Sequence, residues 1–457
     1  MTKAKYWAVV VAIFFALGLA GCGSNPSKTA DSGSSPAGNA ENSGGPESSH
    51  ASTSHDKVSI RFSWWGDPQR NKVYEGVIAE FEKKFPNIEV KGEPTSWGDY
   101  FNKLSTQVAG GNAPDVIGMH ANNVGDFASR GALLDLDPFI QSGEIDMANF
   151  PESVQASNRF NGKTYMISQG VALMAEGYNQ TLLDELHVSE PNVNWTWDEF
   201  MQKATEIRDA FVKAGKGDGH WGTDDQSSQL YPGFQYFLRQ NGKDLYTEDG
   251  KLGFAKEDLV QWFTMWDGLR KAGVIPDAAT SVQYSGASME QGMYVKGLIG
   301  ITAMPAHQVY LYQNLMPDAK LGLARIPTLA GGQSGELIAG AYLSISAKSK
   351  HPKEAAAFIN FFVNNPDAGK IFKEEQGVPG STAIAEVIKP LLNPAQQAGL
   401  QFTIDNLKYA RPHVYPPQGA AQITKLFTDT AQAIAFQKAS IEEASQQFID
   451  EAGQILK

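Results

Sequence analysis

The stretch VSIRFSWWGDPQRNKVYEGVIAEFEKKFPNIEVK, residues 58–91, decides the fold of this chain. Residues 58–64 alternate apolar and polar side chains as a strand does, and residues 71–85 carry apolar side chains at helical spacing. A Pro-Asn pair then breaks the helix, and residues 88–91 predict a second strand. Strands that alternate with helices are typical of a mainly parallel sheet covered on both faces. The stretch therefore predicts the α/β class.

The same alternation continues along the chain. A helix is predicted over residues 100–108 and a short buried strand over residues 115–118. Thr196, with Glu199 three residues later, forms a capping box that begins another helix. The remaining predicted elements are a helix over residues 256–271, strands over residues 298–303, 320–324 and 341–347, and an almost wholly helical last hundred residues.

The composition limits which classes of protein this chain can belong to. At roughly 100 to 200 residues per domain, 457 residues allow two or three domains. The formal net charge of -12 argues against nucleic acid as a partner, because phosphate backbones are bound by clustered Lys and Arg. One cysteine can form neither an internal disulfide nor a Cys-based metal site.

Residues 1–21 have the character of a secretion signal. Two lysines precede an apolar run over residues 6–19, which is shorter than the roughly 20 residues that span a bilayer. The run ends in Leu-Ala-Gly-Cys at residues 19–22, which resembles the lipobox of bacterial lipoproteins. This resemblance implies cleavage before Cys22 and a lipid, palmitate, on its thiol. The alternative is a buried cysteine in an ordinary N-terminal helix.

A flexible tether is predicted over residues 22–57. Residues 23–56 contain 10 Ser, 5 Gly and 3 Pro with almost no large apolar side chains. Such a segment cannot bury enough surface to offset the entropy of ordering it. We therefore expect a lipid-anchored domain on the extracellular face of the cytoplasmic membrane of a bacterium, of the Gram-positive type.

Motifs for catalysis are missing from the sequence. The eight histidines show no HxxxH or HExxH spacing, and no GxSxG or GxxxxGK occurs. Two carboxylates suffice for glycoside hydrolysis, and a chain with 50 acidic residues can supply them. The sequence favours binding over catalysis and predicts no metal site and no cofactor.

Several short fragments together resemble one family. They are FSWWGD (62–67), FEKKFPNI (81–88), LSTQVAGGNAPDV (104–116), GALLDL (131–136), GKTY (162–165), YN (178–179), WDEF (197–200), KG (296–297) and GAY (340–342). Their order and spacing, behind a lipobox, are similar to extracellular solute-binding protein family 1. These are the oligosaccharide-binding lipoproteins of ABC importers.

The resemblance implies the type II fold of periplasmic binding proteins, with two α/β lobes, a central cleft and a hinge of several crossings. By similarity, one lobe comprises residues 58–169 with 344–390, and the other residues 170–343 with 391–457. It implies a monomer that binds a carbohydrate between the lobes. The lobes close over the ligand, and the closed form docks on the membrane subunits of the ABC permease.

Ligand contacts are first expected after strand 58–64, because α/β sheets bind ligands beyond the carboxyl ends of strands. Trp65 would stack on a sugar, and Asp67 takes, by similarity, the place of a sugar-binding Asp of maltose-binding proteins. Trp64 is either a second platform or a core residue, and Asp67 alternatively only an N-terminal helix acid. Trp97 is either a platform or a surface cap.

The loop after strand 115–118 departs from the family. Related proteins keep a Trp and an Asp-Arg pair there, whereas this chain offers His120, Asn122 and Asn123. Planar polar side chains can donate and accept hydrogen bonds with sugar hydroxyls. The departure puts maltose itself in doubt, and His120 is alternatively a capping residue.

Further candidates come mainly from the second lobe and the hinge. His307 falls where maltose-binding proteins place a stacking Trp, and Tyr415 could close the cleft. Core packing is the competing interpretation for every aromatic residue among them. The full set of these candidates is Ser168, Gln169, Trp221, Tyr231, Met304, His307, Tyr342 and Tyr415.

Two rival functions remain open at this point. A secreted glycan-active enzyme would share the Trp-rich, acidic profile. A receptor for a non-sugar solute, such as a peptide, a polyamine or a metal, would share the fold. The nine tryptophans favour sugars.

Overall fold

A computed structural model describes residues 57–412 and 414–457. The predicted signal segment, Cys22 and residues 22–56 of the predicted tether lie outside the described residues. Within the described ranges, no helix is both long and apolar enough to cross a membrane.

The described chain contains eleven strands and seventeen α-helices. The strands are β1 (Val58–Trp65), β2 (Ile88–Thr95), β3 (Val116–His120), β4 (Arg159–Phe160), β5 (Lys163–Thr164), β6 (Ile167–Ala172), β7 (Met174–Asn179), β8 (Trp221–Thr223), β9 (Ile299–Pro305), β10 (Leu321–Arg325) and β11 (Ala339–Ile345).

The helices carry most of the remaining chain. They are α1 (Pro68–Lys84), α2 (Trp97–Ala109), α3 (Ala121–Ser129), α4 (Asp137–Gln141), α5 (Glu152–Ser157), α6 (Gln180–Glu185), α7 (Trp197–Lys213), α8 (Gln235–Gln240), α9 (Lys256–Lys271), α10 (Ala278–Ser285), α11 (Val309–Leu315), α12 (Pro352–Asn364), α13 (Pro366–Phe372), α14 (Thr382–Ile388), α15 (Pro394–Asn406), α16 (Ala420–Ala435) and α17 (Ile441–Ile455).

The predicted elements are confirmed, with shifts at their ends. Helix α1 begins three residues earlier than predicted, because Asp67 caps it and a proline occupies its first position. Strand β2 runs on to Thr95 because it pairs with β1 along the whole length of that strand. The capping box of Thr196 and Glu199 at the start of α7 is present as predicted.

The first sheet has the strand order β2-β1-β3-β11-β6. Strands β1, β2 and β3 are parallel, and β11 is antiparallel to both β3 and β6. Four strands therefore run in one direction and β11 alone is reversed, which confirms the mainly parallel sheet.

The second sheet has the order β10-β7-β9-β8. Strand β7 is antiparallel to β10 and β9, whereas β8 and β9 are parallel. This sheet also contains one reversed strand, here β7.

Two large hydrophobic cores accompany the two sheets. The first contains Phe62, Phe81 and Phe358, and the second contains Phe200, Trp262 and Trp266. The first core also includes Leu392, Leu400, Leu407 and Ala410, which lie beyond the predicted lobe boundary at residue 390. The lobe boundaries stay a prediction.

The carboxyl edges of both sheets meet where the chain passes between them. Strand β6 ends at Ala172 and β7 begins at Met174, so the edge where β1 and β3 end lies at this passage. The end of β9 is there too, because Pro305 pairs with Met174 and the Ala306 N–H donates to the Leu173 carbonyl. We call the space between these two carboxyl edges the interlobe region.

Candidate functional site

Four rings form a cluster at the carboxyl edge of the first sheet, which we call the aromatic platform. It consists of Trp65, Trp97, Phe101 and His120. The ring centre of Trp97 lies 5.2 Å from that of Trp65, 5.7 Å from Phe101 and 5.4 Å from His120, all edge to face. Trp65 is 5% exposed and Trp97 is 53% exposed. The platform therefore presents one indole to solvent and supports it with three rings beneath.

Local sequence explains why Trp97 is exposed. Strand β2 ends at Thr95, Ser96 is the N-cap of α2, and Trp97 is the first residue of that helix. Gly98 next to it has open space on its side-chain face. An indole held at a helix start by neighbouring rings is a rigid apolar surface of the kind that stacks on sugar C–H faces.

His120 has the capping role that the sequence left open and also belongs to the platform. Its Nδ1 accepts a hydrogen bond from the Asn122 N–H over 3.2 Å at the start of α3. Burial lowers the pKa of the imidazole to about 4, so the ring is neutral at pH 7. With Nδ1 accepting, the proton of the neutral ring is on Nε2, which can donate to a ligand.

The polar residues next to the platform are accessible. Asn122 and Asp67 are exposed, and Asn123 is half-buried. Asp67 Oδ1 accepts from the N–H groups of Gln69 and Arg70 at 2.8 and 2.9 Å, and these bonds lower the pKa of the carboxyl. Asp67 is therefore a helix cap, as the alternative interpretation stated, and the contact to a sugar stays a prediction.

Trp64 lies on the opposite side of β1 from Trp65. It is 1% exposed, stacks on Tyr74 with ring centres 4.9 Å apart, and donates from Nε1 to Asn71 Oδ1 at 3.0 Å. These contacts enclose the indole in the first core and favour the core interpretation, and a contact of Trp64 with a sugar stays a prediction.

Three predicted contacts near the passage between the sheets are buried. Ser168 is fully buried and donates to Asn158 Oδ1 at 2.7 Å, and Tyr342 is fully buried opposite it on β11. Neither side chain is available to a ligand in this structure. Gln169 is 4% exposed and accepts from the Tyr74 hydroxyl at 3.2 Å, while its Nε2 has no hydrogen-bond partner among the described residues.

Tyr415 lies on the side of the molecule that contains the first sheet, although it comes late in the sequence. Its hydroxyl donates to the Ser157 carbonyl at 2.6 Å, and its ring lies 5.9 Å from that of Phe160. Since the residue is buried, it fastens a loop in this structure, and its role in closing the cleft stays a prediction.

The predicted ligand contacts on the side of the second sheet mostly pack against other residues of the protein. Trp221 is half-buried at the amino end of β8, away from the carboxyl edge. Met304 is 1% exposed and lies against Gly177. The Tyr231 hydroxyl lies 3.5 Å from that of Tyr246, and its ring packs on the second core. These positions favour the core interpretation for all three.

His307 is the second residue after β9, at the carboxyl edge of the second sheet. It is half-buried, and burial lowers its pKa to about 4. Its Nδ1 is buried without a hydrogen-bond partner among the described residues. Of the second-half candidates, His307 is the one at the interlobe region with unused hydrogen-bonding capacity.

Sequence reasoning missed a carboxylate on the second edge. Asp224 directly follows β8 and accepts from Thr223, Gln226 and Thr302 at 3.2 to 3.3 Å. The position after a strand could have indicated it, but β8 has only three residues and was not predicted.

Sequence reasoning also missed a cluster of charged side chains that lies between the start of α1 and the segment after α13. Arg70 Nε donates to Glu375 Oε1 at 2.8 Å, and Glu374 beside it has both carboxylate oxygens buried without a hydrogen-bond partner among the described residues. Burial raises the pKa of Glu374 to about 8. Burial and the nearby carboxylates of Glu375 and Glu374 raise the pKa of Tyr310, so α11 of the second half lies close to this group.

The two edges combine an exposed indole, a neutral imidazole, amides and carboxylates. This set can stack on apolar ring faces and exchange hydrogen bonds with hydroxyl groups. Within the described ranges, no group of three or more His, Cys, Asp and Glu residues could hold a metal ion.

Comparison with known proteins gives matches over most of the chain. A family model described as bacterial extracellular solute-binding protein matches residues 65–369. The structure of an extracellular solute-binding protein family 1 member from Alicyclobacillus acidocaldarius subsp. acidocaldarius DSM 446 is 30% identical, with a TM-score of 0.74. That match covers 87% of this chain and 98% of the other.

Two further relatives are named for the carbohydrate that they bind. A periplasmic oligogalacturonide-binding protein from Yersinia enterocolitica is 26% identical with a TM-score of 0.73, covering 87% of this chain and 99% of the other. The maltodextrin-binding protein MdxE of Bacillus subtilis (strain 168) is 23% identical, covering 99% of this chain and 97% of the relative. The solved structures confirm the two-lobed α/β fold. The chain belongs to the bacterial extracellular solute-binding protein family.

Proposed function

We propose that this protein is a receptor that captures a carbohydrate, an oligosaccharide, in the interlobe region and delivers it to an ABC permease. The observation that carries the proposal is the exposed Trp97 indole on the aromatic platform, at an edge that faces the second sheet. The maltodextrin-binding and oligogalacturonide-binding relatives support it.

The proposed mechanism is capture by closure. A ligand that contacts both edges binds the closed arrangement more tightly than the open one, so it shifts the population toward closure by that difference. The closed arrangement is then the form that the permease subunits recognise. For the moving bodies we propose residues 58–169 with 344–390 and residues 170–343 with 391–457, with the stretch after 390 shared, since Leu400 packs in the first core.

The protein binds its ligand without chemical change. Capture needs no nucleophile, and the platform residues offer stacking and hydrogen bonds only. We propose further that the protein is a monomer anchored by a lipid on Cys22 at the extracellular face of a Gram-positive membrane. Replacing Cys22 by Ser should release the protein from the membrane fraction into the medium, whereas retention would contradict the anchor.

A ligand screen tests the main proposal. The purified protein is heated with neutral trisaccharides (maltotriose, cellotriose and raffinose), with a polyamine and with a tripeptide, and the melting temperature is recorded. At least one saccharide should raise the melting temperature and be recovered intact by chromatography, because a ligand that binds only the native state stabilises it. Cleavage products would favour the glycan-active enzyme, and a response to the polyamine or peptide alone would overturn the sugar.

A further inference from the structure

The second half of the molecule contains a cavity of about 400 Å³. It lies between the segment 224–229, helix α10 with the segment that follows it, and the end of α16. Asp224 directly follows β8, so one wall of the cavity lies at the carboxyl end of that strand, and Thr302 lies beside it in the middle of β9. Its volume falls in the range of about 300 to 1,000 Å³ that is usual for small-molecule sites.

The Asp224 carboxylate lines this cavity and is held in a fixed orientation. Oδ1 accepts from Thr223 Oγ1 at 3.2 Å and from Gln226 Nε2 at 3.3 Å, and Oδ2 accepts from Thr302 Oγ1 at 3.3 Å. Thr223 and Gln226 are fully buried or nearly so, while Asp224 itself is half-buried. Oδ2 therefore has capacity for a further donor from the cavity.

No cation neutralises this carboxylate among the described residues. The neighbouring Asp225 forms the ion pair, with Arg270 Nη2 at 2.7 Å. Glu176 behind Gln226 is completely buried, and burial together with Asp224 raises the pKa of its carboxyl well above the usual range. Gln226 Nε2 lies 3.3 Å from both carboxyl groups and ties them into one network.

The cavity walls are hydroxyl-rich on one side and apolar on the other. Tyr294 also lines the cavity, and its buried hydroxyl has no hydrogen-bond partner among the described residues. The burial that raises the pKa of Asp224 to about 6 leaves it mostly ionised at pH 7.5. The residues that supply these two sides are Ser281, Tyr284, Ser285, Thr302 and Tyr312 for the hydroxyls, and Met289, Met293 and Phe436 for the apolar side.

We propose that this cavity is a subsite for one uncharged pyranose unit of the ligand, with Asp224 accepting hydrogen bonds from its hydroxyl groups. A carboxylate fixed by three donors is a ready acceptor for alcohols, and the apolar wall fits the C–H face of the ring. The inference rests on the proposed carbohydrate function and assigns a specificity-determining residue to it.

Substitutions on two sides of the cavity test the assignment. Asp224→Asn keeps the shape and removes the charge, and Ala287→Trp places an indole at the exposed rim, where Ala287 lines the cavity. Asp318→Asn is the matched control, because Asp318 is an exposed acid outside the cavity lining. Dissociation constants for the trisaccharide that binds most tightly are measured by calorimetry at pH 7.5, with circular dichroism to check folding.

The expected result is a loss of affinity of about tenfold to a hundredfold for Asp224→Asn, the usual range for a hydrogen bond to a charged group. Ala287→Trp should weaken binding similarly, and Asp318→Asn should bind like the wild type. If the wild type binds a trisaccharide and both cavity variants bind it equally well, the subsite is wrong while the carbohydrate receptor stands. If no saccharide binds the wild type, the proposed function itself fails.

Discussion

The two carboxyl edges that face the interlobe region are built from different chemistry. On the first edge, three rings support an indole that is 53% exposed, and the histidine among them is neutral. On the second edge, a carboxylate is held by three donors at the wall of a cavity. A sugar ring has apolar faces and a polar rim, so under the proposed function the first edge contributes mainly a stacking surface and the second a fixed hydrogen-bond acceptor.

The contrast between the two edges depends first on which tryptophan belongs to the surface. Trp64→Ala should lower the free energy of unfolding by about 3 to 5 kcal/mol, because it empties a large volume in the first core next to Tyr74. Trp97→Ala should change it by only about 0.5 kcal/mol, since about half of the side chain is in solvent and no core volume is emptied. Urea denaturation of the two variants measures this, and similar losses for both would place Trp97 in the structure rather than at the site.

The next test measures how much the aromatic platform contributes to the affinity for the ligand. Trp97→Ala should raise the dissociation constant of the bound trisaccharide by about thirtyfold or more, as expected for a central aromatic contact worth about 2 kcal/mol. Trp97→Phe should lose less because a flat ring remains. Val212→Ala, at a residue 52% exposed on α7, is the control and should leave affinity unchanged. Unchanged affinity in Trp97→Ala would remove the first edge from the site.

The last test concerns Glu374, a buried acid on the side of the first sheet, whose effect appears only as the pH is changed. The carboxyl oxygens of Glu374 have no hydrogen-bond partner among the described residues, and burial raises the pKa of this group from 4.5 to about 8. Between these two values the unfolded chain releases the proton and the folded chain keeps it, so stability falls as pH rises from about 4.5 to 8. Below pH 4.5 both states are protonated and this contribution is constant.

Glu374→Gln should remove that pH dependence. The variant should be more stable than the wild type at pH 8 by up to a few kcal/mol, at about 1.4 kcal/mol per pH unit, and similar to it at pH 4.5. Melting temperatures across this range measure the difference, with Glu375→Gln as the comparison that breaks the ion pair to Arg70 instead. Parallel profiles for wild type and Glu374→Gln would show that Glu374 is solvated.

The sequence predicted the fold well because the signals are local. Alternation in β1 and helical spacing in α1 depend only on neighbouring residues, and the capping box of α7 spans four. The same alternation puts Trp64 and Trp65 on opposite faces, but it does not say which face is the core. That depends on Tyr74 from the next helix.

The site was harder to predict because its contacts are distant in sequence. Asp224 receives a bond from Thr302, which is 78 residues away, and Arg70 pairs with Glu375, which is 305 residues away. Trp97 and His120 come together because β1 lies between β2 and β3. These long-range contacts follow from the order of the strands in the sheet, and a local sequence pattern does not determine that order.

The reversed strand β11 has a consequence for how the chain acquires its structure. It lies between β3 and β6 in the first sheet, yet it follows every strand of the second sheet in the sequence. A nascent or translocating chain therefore cannot complete its first sheet until residue 345 has emerged, although β6 is made long before. Until then β3 and β6 expose unpaired edges, which are the usual starting points of aggregation. A folding chaperone that holds the chain during this interval would be expected to recognise those edges.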